Sequence, residues 1–331
     1  MNKPSIPFVG LHAHSVAGSI FDGLGYPNEH MDYAHQNGMD ALALTDHGNM
    51  NGLSWQVLHA KKMQAEGKNF KPIFGCEAYF IPSIKEWREE YNRAMQDKKA
   101  ARSAKKDETS GATVEDEDES KKAARNILNR RRHLVLLAQN QTGLNNLFKL
   151  ISESYRDENF YRYPRIDFDL LEKYGEGIIA SSACLGGVYA GAYWENREEG
   201  PEAVLRAMRG LTERFVSILG DRWYGELQWN NVPEQHDLNK YVIQVCKEYG
   251  VDLISTADSH YPNPTAWKDR ELYKRLGWLG KGRPSWAEDG ELPTDVDEIG
   301  YELYPKNGNQ MWEAYQKYSS DAGVEYDDDL V

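Results

Sequence analysis

The chain has 331 residues, enough for one large α/β core with an appendage or for two ordinary domains. Its net charge of -13 excludes a general nucleic-acid-coating surface, which needs clustered Lys and Arg, but leaves room for a local site where metal ions supply the positive charge. A hydrophobic content of 40%, three widely spaced cysteines (Cys76, Cys184 and Cys246), no apolar run of bilayer length and no signal-peptide opening point to a soluble cytoplasmic protein without a membrane partner, part of which does not pack.

Val9-Gly10-Leu11-His12-Ala13-His14-Ser15 reads as a buried strand ending in two imidazoles. Positions two apart on a strand share a face, so His12 and His14 converge on one point, as half of a metal coordination shell would; the plain alternative is two surface histidines. A glycine-rich loop, Phe21 to Gly25, then places Asp22 near the strand's end. Pro27 to Gly38 reads as a helix, with proline in its first turn and glycine closing it. The strand Asp40 to Thr45 runs into Asp46-His47-Gly48, and a helix from Leu53 to Glu66 ends at Gly67. The next strand, Pro72 to Ile81, carries Glu77 inside an apolar and aromatic run, where a carboxylate must be protonated, ion-paired or metal-bound.

From Trp87 to Arg132 this pattern gives way to charge: Lys98-Lys99, Lys105-Lys106, the acidic run Glu115 to Glu119, Lys121-Lys122 and Arg130-Arg131-Arg132. The composition predicts a solvated, partly disordered insertion, helical at its flanks. Its basic end is a candidate contact for nucleic-acid backbone, although such runs are usually only solvated. Order resumes with the strand His133 to Ala138 and a helix from Gly143 to Tyr155, capped by Thr142, with Leu144, Leu147, Phe148 and Ile151 as its apolar stripe. A short helix at Leu170 to Tyr174 precedes the strand Gly177 to Cys184, which runs into Gly186-Gly187. The helix Pro201 to Leu219, the strand Trp223 to Trp229 containing Glu226, the helix Pro233 to Tyr249 closed by Gly250, and the strand Asp252 to Ala257 ending in Asp258-Ser259-His260 complete the pattern.

Strand and helix alternate about seven times, the signature of parallel βαβ units, and most His, Asp and Cys candidates sit just past strand C-termini, where α/β barrels build their sites. His133 is the exception, since it begins its strand. Beyond Pro262 the periodicity weakens. Lys268 to Leu279 is a candidate helix, and an acidic Gly/Pro-rich stretch from Gly282-Arg283-Pro284-Ser285 to Asp327-Asp328-Asp329 reads as a linker or docking segment.

Collected from separate strands, the candidates are His12, His14, Asp22, His47, Glu77, His133, Cys184, Asp258 and His260. This mixture suits zinc, manganese or iron better than magnesium or calcium, which prefer oxygen ligands. Nine ligands exceed one tetrahedral ion, so the economical reading is a multinuclear cluster bridged by a carboxylate. Such clusters hydrolyse phosphate esters by clamping phosphoryl oxygens and lowering the pKa of water. Each residue also has a bland reading: Cys184 alone is more often a small buried hydrophobe. Glu226 either orients a histidine or faces solvent. His35, His59 and His236 lie within predicted helices and read as surface or core residues.

The motifs His-Ala-His-Ser, Leu-Thr-Asp-His-Gly, Gly-Cys-Glu-Ala-Tyr, Gly-Ile-Ile-Ala-Ser-Ser-Ala-Cys-Leu-Gly-Gly and Ala-Asp-Ser-His-Tyr resemble, in order, those of the polymerase-and-histidinol-phosphatase (PHP) family. Thr142-Gly-Leu-Asn-Asn-Leu-Phe-Lys-Leu150 and the Cys184 motif are similar, more narrowly, to the PHP domains of bacterial DNA polymerase III alpha subunits. The resemblance covers about residues 7 to 262. It implies a distorted seven-stranded (β/α)7 barrel over residues 1–265, interrupted by the insertion at 87–132, and a C-terminal extension over 266–331. It also implies a trinuclear site of Zn2+, Mn2+ or Fe2+, held by the nine residues above.

By the same resemblance the competent form is a metal-dependent 3'-5' exonuclease acting on a DNA 3' end. Our own assignment of the ligands makes His12, His14, Glu77 and Asp258 the catalytic group around one metal. His133 and Cys184 would complete a second metal site and Asp22, His47 and His260 a third. Tyr301 to Lys306 resembles, less closely, the segment leading into a polymerase palm. No paired aspartates of nucleotidyl transfer follow Pro262, so polymerisation is not expected of this polypeptide alone. Its partners would then be a palm fragment or other replisome subunits. Two alternatives remain at this stage: a silent, metal-stabilised docking module of a split polymerase, and a small-molecule phosphatase of histidinol-phosphate type.

Overall fold

A computed structural model of the chain describes residues 5–107, 126–279 and 302–328. In chain order its first half holds α1 (Pro27–Gln36), β1 (Ala41–Leu44), α2 (Leu53–Ala65), β2 (Lys71–Phe80), α3 (Ile84–Asp107), β3 (Arg132–Ala138), α4 (Gln141–Ser154) and the small pair β4 (Phe160–Tyr161) and β5 (Tyr163–Pro164). Then come α5 (Phe168–Tyr174), β6 (Ile178–Ser181), α6 (Val188–Asn196), α7 (Pro201–Leu219), β7 (Trp223–Gln228), α8 (Pro233–Tyr249), β8 (Leu253–Thr256), α9 (Trp267–Leu279) and α10 (Gly308–Ala322).

Six strands form one sheet in the order β1-β2-β3-β6-β7-β8. It curls until one segment serves both edges. Gly10 bridges Leu42 of β1, and Ala13 bridges Ser259 just beyond β8. The Ala43 and Thr45 amides donate to the Gly10 and Ala13 carbonyls (2.7 Å each), while the His14 and Ser259 amides exchange bonds with Ser259 and His12 carbonyls (2.7 and 3.1 Å). The expected buried strand at the N-terminus is therefore two isolated bridges rather than a ladder, and Val9 is exposed. The all-parallel expectation is also corrected. β1-β2, β6-β7 and β7-β8 are parallel, but β3 runs antiparallel to both β2 and β6.

That reversal explains His133. Because β3 runs against its neighbours, its first residues lie at the end of the barrel where the other strands finish, and Tyr79 of β2 pairs with His133. Alternate residues then sort the lumen into layers. Ile73, Gly75 and Glu77 follow one another up β2; Leu137, Val135 and His133 do the same up the reversed β3; Ile254, Thr256 and Asp258 rise through β8 and beyond. Leu11, Ile73, Val135, Leu137 and Ile179 cluster in the lower lumen.

The opposite faces of the strands carry the main core. Leu134 and Leu136 of β3 pack with Leu147 and Leu150 of α4, and with a stripe along α7 that includes Val204, Met208 and Phe215. Each fully buried side chain of this size contributes roughly 1.5–3 kcal/mol. α4 begins against a tight approach: a Cβ on Gly143 would lie 1.8 Å from the Gly177 carbonyl oxygen, so only glycine fits. The side chain of Asn140, not Thr142, caps this helix by accepting from the Gly143 amide (2.9 Å).

The charged insertion is less loose at its ends than its composition suggests. α3 is anchored by Trp87, which is buried and donates from Nε1 to the Ile127 carbonyl (2.7 Å). The buried Arg165 guanidinium lies 4.4 Å from the Trp87 ring centre and donates to the carbonyls of Leu128, Arg130, Tyr161 and Tyr163. At the basic end, Arg130 pairs with Glu90 (2.7 Å) and Arg132 with Glu195, so both cations face protein carboxylates. The backbone of Lys98-Lys99 and Lys105-Lys106 is helical. The runs Glu115 to Glu119 and Lys121-Lys122 lie outside the described residues, as do Gly282 to Ser285, Tyr301 and Asp329.

Residues 302–328 pack as a linker would not. The Leu303 carbonyl accepts from the amides of His260 and Tyr261 (2.7 and 3.1 Å). α10 buries Met311, Ala314, Tyr315 and Tyr318 in the main core. Among the described residues no helix is long and apolar enough to cross a membrane.

Candidate metal centre

The upper layer gathers all nine candidates into one cluster. Glu77 is its centre: its Oε1 lies 3.2 Å from His12 Nε2 and 3.1 Å from His133 Nδ1, and its Oε2 lies 2.5 Å from His47 Nδ1 and 3.6 Å from His14 Nε2. Asp258 Oδ1 is 3.2 Å from His12 Nε2, 3.1 Å from His14 Nε2 and 3.6 Å from His260 Nδ1. Cys184 Sγ stands 3.6 Å from His133 Nδ1 and 3.9 Å from Glu77 Oε1. Asp22 Oδ2 completes the rim, 2.9 Å from His47 Nε2 and 3.4 Å from His260 Nε2.

Supporting hydrogen bonds turn the same nitrogen of several rings inward. Glu226 Oε1 accepts from His12 Nδ1 (2.7 Å), which leaves the Nε2 lone pair facing the cluster. Of the two readings of Glu226, the orienting one holds. This carboxylate also accepts from Ser181, Thr256 and Gln228 (2.5, 2.6 and 3.0 Å), so it is fully satisfied and fixed. Ser19 Oγ donates to Asp46 Oδ1 (2.9 Å) and accepts from His14 Nδ1 (3.1 Å). His260 Nδ1 donates to the Asp258 carbonyl (2.7 Å). All three rings thereby turn Nε2 inward, the nitrogen that would bind an ion once it carries no proton.

The consequence is a crowd of potential ligand atoms at close quarters. His12 Nε2 and His14 Nε2 are 3.1 Å apart. His47 Nδ1, Glu77 Oε2 and Asp258 Oδ1 are buried with no hydrogen-bond partner of suitable geometry. Buried acceptors left this way cost about 1–3 kcal/mol each, more when charged, unless a cation meets them. The donor set, imidazole with carboxylate and one thiol, fits divalent transition metals. Three triads have ligand atoms close enough to share an ion: His12, His14 and Glu77; His47, Glu77 and His133; and His14, His47 and His260.

Electrostatics follow the crowding. Burial opposes ionisation of Glu77, but His133, His47 and His12 outweigh it and hold the carboxyl well below the usual carboxylate range. Burial would also lower His12, yet Asp258, Glu226 and Glu77 raise it well above the ordinary imidazole value. His47, likewise opposed by burial, is raised to about 10 by Glu77 and Asp22. His14 goes the other way, because burial and the neighbouring His47 and His260 keep it neutral.

Sequence reasoning passed over Ser19 and Arg270. Arg270 of α9 clamps Asp22 through its carboxylate Oδ1 and its carbonyl (2.7 and 2.9 Å), a contact 248 residues apart that no local pattern announces. Strain does mark the site. Of four non-glycine residues at positive φ among those described, Phe21 and Ala183 immediately precede Asp22 and Cys184, and Asp258 is itself in the cluster; Arg162 is the fourth. His30, His59 and His236 hydrogen-bond elsewhere, to the Leu24 carbonyl, Asp32 and the Asn230 carbonyl, and His35 packs against Phe70.

The family model of the PHP domain matches residues 10–230, which span the curled sheet through β7 and seven of the nine clustered residues, Asp258 and His260 lying beyond it in sequence. The chain belongs to the PHP domain family. This PHP domain is 38% identical over 257 residues to the DNA polymerase III subunit alpha of Aquifex aeolicus, covering 78% of this chain and 18% of that protein. It is 34% identical over 309 residues to the same subunit of Borreliella burgdorferi, covering 93% and 22%. The chain thus spans about a fifth of the length of these relatives. An amidohydrolase of known structure from Chromobacterium violaceum superposes with a TM-score of 0.37 at 16% identity, over 80% of this chain and 96% of that one.

Proposed function

We propose that this PHP domain is a metal-dependent phosphoesterase that removes nucleotides from a DNA 3' end, a 3'-5' exonuclease of the kind that proofreads. The observation that carries the reading is the set of buried polar atoms without a hydrogen-bond partner, His47 Nδ1, Glu77 Oε2 and Asp258 Oδ1, enclosed by imidazoles whose outer nitrogens are already bonded. His12, His14, Glu77 and Asp258 would hold one ion, His133 and Cys184 with Glu77 a second, and Asp22, His47 and His260 a third, with the Gly10–Ser15 segment acting as the seventh stave of the barrel. Bound ions would supply Lewis acidity toward a phosphoryl group and lower the pKa of attacking water. The protein's own part is to fix ring orientation through Glu226 and Ser19. The replisome is the expected setting, by likeness to the alpha subunits, with a polymerase palm supplied by further chain or by a partner.

The test is hydrolysis of a primer with a mismatched 3' end in Mn2+ or Zn2+. The reading expects 3'-nucleotide release that His12→Ala and Asp258→Ala abolish. Activity unchanged in both variants contradicts it. Turnover of a phosphomonoester well above that of single-stranded DNA would favour the small-molecule phosphatase, and a metal-replete but inert protein retained by a polymerase fragment would favour the docking module.

A further inference from the structure

An aromatic pair, Phe21 exposed and Tyr273 half-buried, stands at the rim of the cluster, and nothing in the ligand set accounts for it. Phe21 is 44% exposed, and the adjacent Ile20 is 64% exposed. The Phe21 backbone sits at φ +64°, a region that bulky residues rarely enter. Its turn is tied on both sides: the Asp22 and Gly23 amides donate to the Ser19 carbonyl (3.1 and 2.7 Å), and the Leu24 amide donates to the His260 carbonyl (2.7 Å). The turn that aims Asp22 at His47 therefore also holds the Phe21 ring at the surface.

The second wall comes from α9. Tyr273 lies with its ring centre 5.3 Å from that of Phe21, the planes 33° apart. Arg270, one turn earlier on the same helix, grips both the carboxylate and the carbonyl of Asp22. One contact thus sets the helix, the ligand loop and the aromatic pair in a common frame.

We propose that Phe21 and Tyr273 form a stacking ledge for the base of the terminal nucleotide whose phosphodiester reaches the cluster. This rests on the phosphoesterase reading and names its substrate as an unpaired nucleic-acid end. The chemistry favours a base over a generic phosphoester. A chain of net charge -13 gains little from neutralising backbone phosphates beyond the one that bound ions would meet, so further affinity for a polymer end would come from apolar contact, and every base offers a π face to an exposed ring.

The ledge is tested by binding, apart from turnover. Fluorescence anisotropy compares 5'-labelled pentathymidylate with the same oligonucleotide carrying an abasic 3' residue, with Ca2+ as the divalent ion to suppress hydrolysis. The intact protein is expected to prefer the base-bearing end by about tenfold, from the usual strength of base–aromatic stacking. Phe21→Leu and Tyr273→Leu should each reduce the preference to less than about threefold, and Phe21→Trp should keep it, an outcome that a merely structural role would not give. Equal affinity for the two oligonucleotides, including no measurable binding of either, overturns the ledge, as does a preference unchanged in both leucine variants. Hydrolysis of bis(p-nitrophenyl) phosphate in Mn2+, measured separately, reports on the phosphoesterase reading alone.

Discussion

The two ends of the barrel lumen are built from the same strands with opposite chemistry. At the lower end Leu11, Ile73, Val135, Leu137 and Ile179 line a cavity of about 560 Å3, whereas barrels of this general kind usually fill that space with side chains. At the upper end the same strands deliver Glu77, His133 and Asp258 into a cluster where acceptors crowd within 2.5 to 3.6 Å. Ser181 belongs to both, lining the cavity and donating to Glu226. The contrast teaches that the ligands are not held by tight packing beneath them. They are held by hydrogen bonds among the intervening polar residues, so the chemistry of the upper layer and the stability of the lower one should separate under mutation.

The sharpest break is at the centre of the cluster. Glu77→Gln keeps the volume but removes the charge shared by two triads; phosphodiester hydrolysis is expected to fall by a factor on the order of a thousand, with a matching loss of bound metal in elemental analysis. One step outward, Glu226→Gln leaves every proposed ligand in place and loosens only the hold on His12. Metal affinity should drop about 10- to 100-fold while the thermal midpoint moves little. A drop as large as that of Glu77→Gln would mean that Glu226 does more than orient a ring.

Mutation below the polar layer should do the reverse. Leu137→Ala enlarges an existing cavity and is expected to cost about 2–3 kcal/mol in denaturant unfolding, with hydrolysis per folded molecule unchanged. Lost activity in a folded Leu137→Ala protein would show that the two layers are coupled. The smallest effect is in pH. Without metal, His47 is raised to about 10, so at neutral pH an incoming ion must displace its proton. Affinity for Mn2+ should therefore strengthen as pH rises from 6 to 8, by up to about tenfold per unit for each proton released, as titration calorimetry in buffers of differing ionisation enthalpy would record.

Much of this arrangement was legible in the chain because ligands at strand ends leave a periodic trace. Asp46-His47-Gly48 after β1 and Asp258-Ser259-His260 after β8 could be read as site residues from apolar runs that stop at polar groups. Strand direction could not. A buried run such as His133 to Ala138 reads the same either way, and only the antiparallel pairing with β2 brings His133 to the ligand end. Asn140 and Thr142 are both competent caps, so the choice between them waits on where the backbone turns. The stripe Met311, Ala314, Tyr315 and Tyr318 has helical spacing, but its acidic surroundings masked a segment that joins the main core. The roles of Glu226 and Arg270 depend on partners more than 200 residues away, which no local pattern carries.

Anomalous diffraction from crystals grown with Mn2+ or Zn2+ tests the central claim most directly. The account predicts more than one anomalous peak inside the cluster, with Glu77 ligating at least one ion alongside His12 and His14. A fully formed pocket with no peak among these residues under saturating metal, or ions bound only elsewhere on the surface, would contradict it.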